Sequence, residues 1–314
     1  MRNNTIVTIG DRNYLWGIFL LIVSMRKSGM DEPVLVGGRG FTAGDERILR
    51  QLGGVEIYAV PEDGRSLTCC KAAVMLKAET DYITWVDGDG YFTGNCSSLL
   101  PPPAIDRIHI RMRGVAENRL AFRGFTFGES GEAIPEAVLS VWRHDVGEGE
   151  VAVISRSCSA CCFSLHSSRR RFLERWDEQI NKCLPRNDVG VVDRGLKYYH
   201  QLDESTLNSV LCFSRSAPEA TESWGLDKDP ERMFIHFVGT PKPWRGWNSY
   251  SYPHFDRYID LVEYAGNCGW ELPSPVPYSL RRSNRRLCRM LILPLRLRYG
   301  VRNRLKRVNW FGGK

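Results

Sequence analysis

The chain has 314 residues, 43% of them hydrophobic and 25% charged, with a net charge of +7. That length suits one enlarged α/β domain or a domain with an appendage, and the composition is that of an ordinary globular protein rather than a disordered chain. Its ten cysteines exclude a disulfide framework and a zinc finger: Cys69-Cys70 and Cys161-Cys162 are adjacent pairs, and the single C-x-x-C at Cys158 and Cys161 has no second pair at zinc spacing, so a reducing, cytoplasmic compartment is expected.

Taken in order, Thr5 to Ile9 reads as a first strand, too close to the start to follow a cleavable signal sequence. A helix is expected from about Arg12 to Lys27. Its apolar run, Leu15 to Val23, is far short of the roughly 20 residues that cross a bilayer. Pro33 to Val36 is the next strand, and the helix after it starts near Thr42, whose hydroxyl caps it while Asp45 and Glu46 suit its positive end. Val55 to Val60, Leu67 to Glu79 and Tyr82 to Val86 read as strand, helix and strand. This alternation predicts parallel βαβ units in an open sheet, with ligands at the carboxyl ends of the strands, where Asp87 and Asp89 fall.

From Leu100 to Glu150 the pattern is poor, and loops or short strands over the site are expected; His144, Asp145, Glu148 and Glu150 are polar enough for sugar hydroxyls, but a solvated loop accounts for them better. An apolar run follows from Val151 to Phe163, then a helix from about Ser168 to Leu184 and a helix-like segment around Asp203 to Val210. The stretch beyond Trp247 reads as a connector to a basic tail. From Leu272 onward there are twelve Lys and Arg and no acid, which taken from the net +7 leaves the body at −5. Leu280, Leu287, Cys288 and Leu291, then Val301, Leu305 and Val308, recur among the arginines as in a basic helix lying on an anionic membrane; a solvated tail is the alternative.

Two motifs carry the chemistry. Asp87-Gly88-Asp89 ends an apolar strand, and the glycine lets the backbone turn near a phosphate. His236 to Trp244, H-F-V-G-T-P-K-P-W, joins a metal-competent imidazole to Gly239 and Lys242. Two carboxylates and an imidazole suit Mn²⁺ or Mg²⁺ holding a diphosphate, and the lysine suits its departing charge.

The nine-residue motif resembles the H-F-x-G-x-x-K-P-W signature of family 8 glycosyltransferases, the group of glycogenin and bacterial lipopolysaccharide galactosyl- and glucosyltransferases, at His236, Phe237, Gly239, Lys242, Pro243 and Trp244. The resemblance spans roughly residues 3 to 247. It implies an α/β GT-A fold, a Rossmann-like mixed sheet flanked by helices, over residues 1–250; the connector and basic helical appendage read from composition take 251–314. It implies a UDP-sugar donor, usually a UDP-hexose, with Mn²⁺ and retention of configuration. Asp87, Asp89 and His236 would hold the metal, and Gly239 and Lys242 the β-phosphate. Thr8 to Tyr14 is similar to the family's T-N-x-x-Y segment, with Tyr14 on the uracil, and Lys71 lies sixteen residues before Asp87, like a basic residue contacting the donor.

There are two departures. Asp203-Glu204-Ser-Thr-Leu-Asn208 resembles D-Q-x-x-L-N, but Glu204 replaces a glutamine near the anomeric carbon; it steadies an oxocarbenium ion, acts as nucleophile, or is a drift in a residue that positions the acceptor. Cys158-Ser159-Ala-Cys161 stands where the family has F-N-[SA]-G, with Ser159 in place of the asparagine that bonds the sugar. The expected function is hexosyl transfer to a glycan or glycolipid acceptor, as in lipopolysaccharide synthesis, at the inner membrane face. The alternatives are an inactive transferase scaffold, a nucleotidyltransferase lacking its phosphate loop after the first strand, and a nucleic-acid binder that the acidic body argues against.

Overall fold

A computed structural model describes residues 3–128, 133–184, 196–222 and 234–294. Period-two alternation in the early strands decides the layering. Along β1 (Asn4–Asp11), Ile6 enters one apolar cluster while Val7 and Ile9 enter another on the opposite face. In the next strand, β2 (Val34–Arg39), Val34 and Val36 follow Ile6, and Leu35 follows Val7. The sheet is therefore buried on both faces, as parallel strands with helical crossovers require.

Between those strands runs α1 (Leu15–Lys27), buried from Leu15 to Met25 because it is apolar on nearly every side. A helix α2 (Ala43–Arg50) follows β2. Thr42 accepts the Asp45 N–H while Asp45 accepts the Thr42 N–H, the reciprocal cap the sequence predicts. Then come β3 (Val55–Ala59), a 3₁₀ turn at Leu67–Cys70, α3 (Lys71–Met75) and β4 (Tyr82–Val86). The helix expected to reach Glu79 stops early. Arg170 takes the carbonyls of Leu76 and Ala78, which closes the helix end with a side chain from elsewhere in the chain.

After the short β5 (Gly90–Phe92), the stretch expected as loops or short strands holds one short strand, β6 (Arg107–Met112), and two helices the pattern did not show, α4 (Val115–Ala121) and α5 (Glu136–Val146). Helix α5 buries only Val138, Trp142 and Val146, a single stripe at four-residue spacing that a polar sequence hides. The apolar run at 151–163 divides. Val151 and Val153 are exposed, and β7 begins at Cys158 (Cys158–His166). Helices α6 (Arg170–Cys183) and α7 (Asp203–Phe213), then β8 (Glu219–Glu222) and β9 (Phe234–His236), lead into the second motif.

The main sheet has the order β3-β2-β1-β4-β7-β6-β8, and β5 pairs with β9 in a small second sheet. Strands β1 to β4 are parallel, whereas β7 runs antiparallel to both β4 and β6. Residues past 250, read as a connector, instead carry α8 (Phe255–Asn267). Its Phe255, Tyr258, Ile259 and Val262 are buried, and it packs on α1. The start of the basic segment is anchored too. Leu280, Cys288 and Ile292 are buried, and Arg282 and Arg285 pair with Asp256, Asp260 and Glu263 of α8. Helical turns over 285–294 leave Leu287, Met290, Leu291 and Leu293 exposed. The recurrence at Val301, Leu305 and Val308 lies outside the described residues. All ten cysteines are free thiols.

Candidate metal and donor site

Strand β1 has β2 on one side and β4 on the other, so the chain reverses direction across the sheet there, and a crevice opens past the strands' carboxyl ends. Asp87 leaves β4 into that crevice. Its Oδ1 accepts from Lys71 Nζ and from the Trp85 indole N–H, both at 2.9 Å, and its amide donates to the Cys161 carbonyl at 2.8 Å. Asp89 lies two residues on, before β5, and the pairing of β5 with β9 places His236 opposite Gly90. His236 Nε2 thereby sits 3.0 Å from Asp89 Oδ1 and 3.7 Å from Asp87 Oδ2. One ligand atom from each of the three residues lies within 4.8 Å of the others. Two hard carboxylate oxygens and one imidazole nitrogen at that separation fit a Mn²⁺ or Mg²⁺ ion.

The motif after His236 folds back over these acids. Phe237 N–H donates to the Asp89 carbonyl at 2.8 Å, and Lys242 pairs with Asp89 Oδ2 while donating to the Phe237 carbonyl at 2.8 Å. Burial raises the Asp89 carboxyl pKa, but the neighbouring His236 and Lys242 cations outweigh it and hold the group well below the usual carboxylate range. For His236 burial acts downward, and Asp89, then Cys161, outweigh it and raise the imidazole well above its ordinary value. Gly239 adopts φ 82° with open space where a side chain would be, a conformation glycine adopts without strain. Gly88 is needed for packing: a Cβ there would stand 2.9 Å from Ile18 and 3.3 Å from the Thr8 hydroxyl.

Beyond Lys242 the crevice opens into a cleft of about 370 Å³ lined by Tyr14, Thr240, Pro241, Lys242, Trp244 and Arg245. Tyr14 meets the edge of Trp244 with ring centroids 5.5 Å apart, and the Trp244 indole donates to the Asn13 carbonyl at 2.7 Å. Two aromatic walls and an exposed guanidinium suit a base and its phosphates. The structure thus brings Asp87, Asp89, His236, Gly239, Lys242 and Tyr14 to one crevice. Thr8 lies apart from it: it is wholly buried, with its hydroxyl beneath Gly88.

Lys71 is also buried, and bridges Asp87 Oδ1 and Asp203 Oδ2 at 2.9 Å each, with its ammonium 5.1 Å from the Trp85 ring centre. Burial pushes the Asp203 carboxyl up to about 6 against the pull of Lys71. Asp203 and Glu204 open α7 just after Leu202, whose φ of 48° is a conformation that costs a non-glycine residue about 1–3 kcal/mol. Glu204 accepts the Ala160 N–H at 3.0 Å and pairs with Arg113. Ser159, on β7, bonds the Cys161 thiol at 2.8 Å. Sequence reasoning missed Arg245, which directly follows the motif, and Arg113, which stands 91 residues from its partner and carries no local signal.

No family model and no curated protein matches the chain. Among solved structures, the bifunctional glycosyltransferase WbbM is similar with a TM-score of 0.56 at 14% identity, over 90% of this chain. The galactosyltransferase LgtC, solved with donor and acceptor sugar analogues, is similar at 0.53 and 14%, over 82% of this chain and 95% of its own. The chain has the GT-A glycosyltransferase fold. The GT-A fold recurs in apo GlyE from Streptococcus pneumoniae TIGR4, at 0.50 and 11% over 87% of this chain. The chain spans 52% of the WbbM chain and 65% of the GlyE chain.

Proposed function

We propose that this protein is a metal-dependent family 8 glycosyltransferase that moves a hexose from a UDP-sugar to a glycan or glycolipid acceptor with retention of configuration. The observation that carries the reading is the meeting of Asp87, Asp89 and His236 at the end of β4, directly beside Lys242 and the cleft. That arrangement lies past the carboxyl ends of the parallel strands, where open α/β sheets bind ligands, and the similar LgtC was solved with donor and acceptor sugar analogues.

Asp87, Asp89 and His236 would hold a Mn²⁺ or Mg²⁺ ion, which supplies positive charge to a diphosphate. Tyr14, braced by the edge of Trp244, stacks on the base, and Arg245 meets its phosphates. Gly239 leaves room for the diphosphate, and Lys242 turns from Asp89 to it. One preorganised donor of this kind lowers a barrier by about 3 kcal/mol. As the bond from the anomeric carbon to the diphosphate breaks, Glu204 supplies a fixed negative charge to the sugar. The acceptor hydroxyl forms the new bond on the same face and passes its proton to the departing diphosphate.

The basic segment supports a membrane-borne acceptor, such as a lipopolysaccharide core, and a peripheral place on the cytoplasmic membrane face. The test is release of UDP from a panel of UDP-sugars with Mn²⁺, with the product anomer read by NMR. Asp89→Asn is expected to abolish metal-dependent release while circular dichroism stays that of the wild type. Undiminished release by that variant would remove Asp89 from the metal site.

A further inference from the structure

Past the end of β4, which pairs with β7 only as far as Val86 opposite Cys162, the edge of β7 at Cys158–Ala160 would be left with open backbone groups. Helix α7 fills that edge with side chains one turn apart. Asn208 accepts the Cys158 N–H at 2.6 Å and donates to the Cys158 carbonyl at 3.0 Å, and Glu204 accepts the Ala160 N–H at 3.0 Å. Four residues of helix rise about 6 Å and two residues of strand about 6.7 Å, so the two side chains match alternate strand residues. A neutral side chain at 204 could serve this register equally well. The charge of Glu204 therefore needs its own explanation.

A carboxylate only 14% exposed needs a counter-ion, and Arg113 provides one. Arg113 follows β6, tied by its N–H to the Ser157 carbonyl at 2.8 Å. Its guanidinium is shared among the Glu204 carboxylate, Gln201 Oε1 at 3.2 Å and the Ser157 hydroxyl at 3.4 Å, and Arg156 holds its carbonyl at 3.3 Å. One Glu204 oxygen is thus held by the strand edge and the other by the guanidinium. The carboxylate is fixed in direction, and it lies next to Ser159, so both departures from the family pattern fall at one place.

We infer that Arg113 is the positioning residue of the sugar end of the site: together with the Ala160 amide it holds Glu204 as an oriented anion beside the transferred sugar. This rests on the donor reading proposed above. The Arg113 guanidinium bonds Glu204, Gln201 and Ser157 rather than Asp87, Asp89 or His236, so its loss acts through Glu204.

The test is a double-mutant cycle on the full chain, with kcat and KM for the UDP-sugar, melting temperature, and calorimetric binding of UDP with Mn²⁺. Arg113→Gln is expected to lower kcat roughly tenfold or more with donor KM and UDP binding nearly unchanged, and Arg113→Lys to recover part of it. Glu204→Gln lowers kcat as well, and Arg113→Gln adds less than about twofold in the Glu204→Gln background, since coupled residues do not add. Full additivity, or wild-type kcat in Arg113→Gln, overturns the inference while the donor site stands. A wild type that binds no UDP with Mn²⁺ overturns the donor reading and this inference with it. If Arg113→Gln fails to fold, Arg113→Lys alone decides, since its kcat must fall without a matching fall in UDP binding.

Discussion

His236 has two suitors, a proton and a cation. Without metal, the Asp89 carboxylate keeps its imidazole charged well above pH 6.5. Since the folded pKa is raised, this pair stabilises the protein fully below pH 6.5, and the contribution is lost as pH climbs through the folded value. A metal must displace that proton to reach the nitrogen. Mn²⁺ is therefore expected to bind more tightly at pH 8.5 than at pH 6.5, with a calorimetric enthalpy that changes with the buffer's ionisation enthalpy. An enthalpy independent of buffer would remove His236 from the ligands. The grouping of Asp87, Asp89 and His236 was legible because aspartate, aspartate and histidine stood in recognisable local patterns. The bridging role of Lys71 was not, since its second partner, Asp203, lies in a helix far along the chain. Gly88 shows the converse: its missing side chain is explained by Ile18 and Thr8 beneath it.

Among the elements, the short β9 places His236, and the aromatic cluster behind it keeps β9 in place. Phe237 is buried against Trp247, Tyr258 and Tyr91, with ring centroids 5.0 to 6.2 Å apart. Phe237→Ala should cost roughly 3–5 kcal/mol and weaken Mn²⁺ binding as well, because the ring anchors the backbone whose N–H, kept in the variant but no longer held in place, bonds the Asp89 carbonyl. Thermal melts with and without Mn²⁺ check this; a destabilised variant with unchanged Mn²⁺ affinity would separate the cluster from the site. This dependence explains why α8 was missed. Its Tyr- and Phe-rich sequence follows prolines and reads as a connector, yet those rings form the backing of the motif. Strand order was hidden for another reason. Thr84 meets Ser164 across 80 residues, and no local pattern announces that β7 runs antiparallel.

At the scale of the molecule, charge is divided between an acidic body and a basic end. Two of the basic residues, Arg282 and Arg285, are paired with α8, while Arg286 and Arg289 are exposed beside Leu287, Met290, Leu291 and Leu293. Among the described residues no helix is long and apolar enough to cross a membrane. The chain is expected to float with anionic vesicles and not with neutral ones, and to come off in roughly 0.5 M salt, where the screening length falls to a few ångströms. Flotation beside a DNA retention assay decides the partner; retention by DNA alone would end the membrane reading. The sign of this surface was legible in the composition, whereas the internal pairing of part of it was not, because α8 was unseen.

The ammonium shared by Asp87 and Asp203 ties the crevice to the start of α7. A cation held at Asp87 would compete for that carboxylate, and the lysine would then lean toward the helix bearing Glu204. Loading the nucleotide would thus be felt electrically under the sugar before any atom of the hexose has moved.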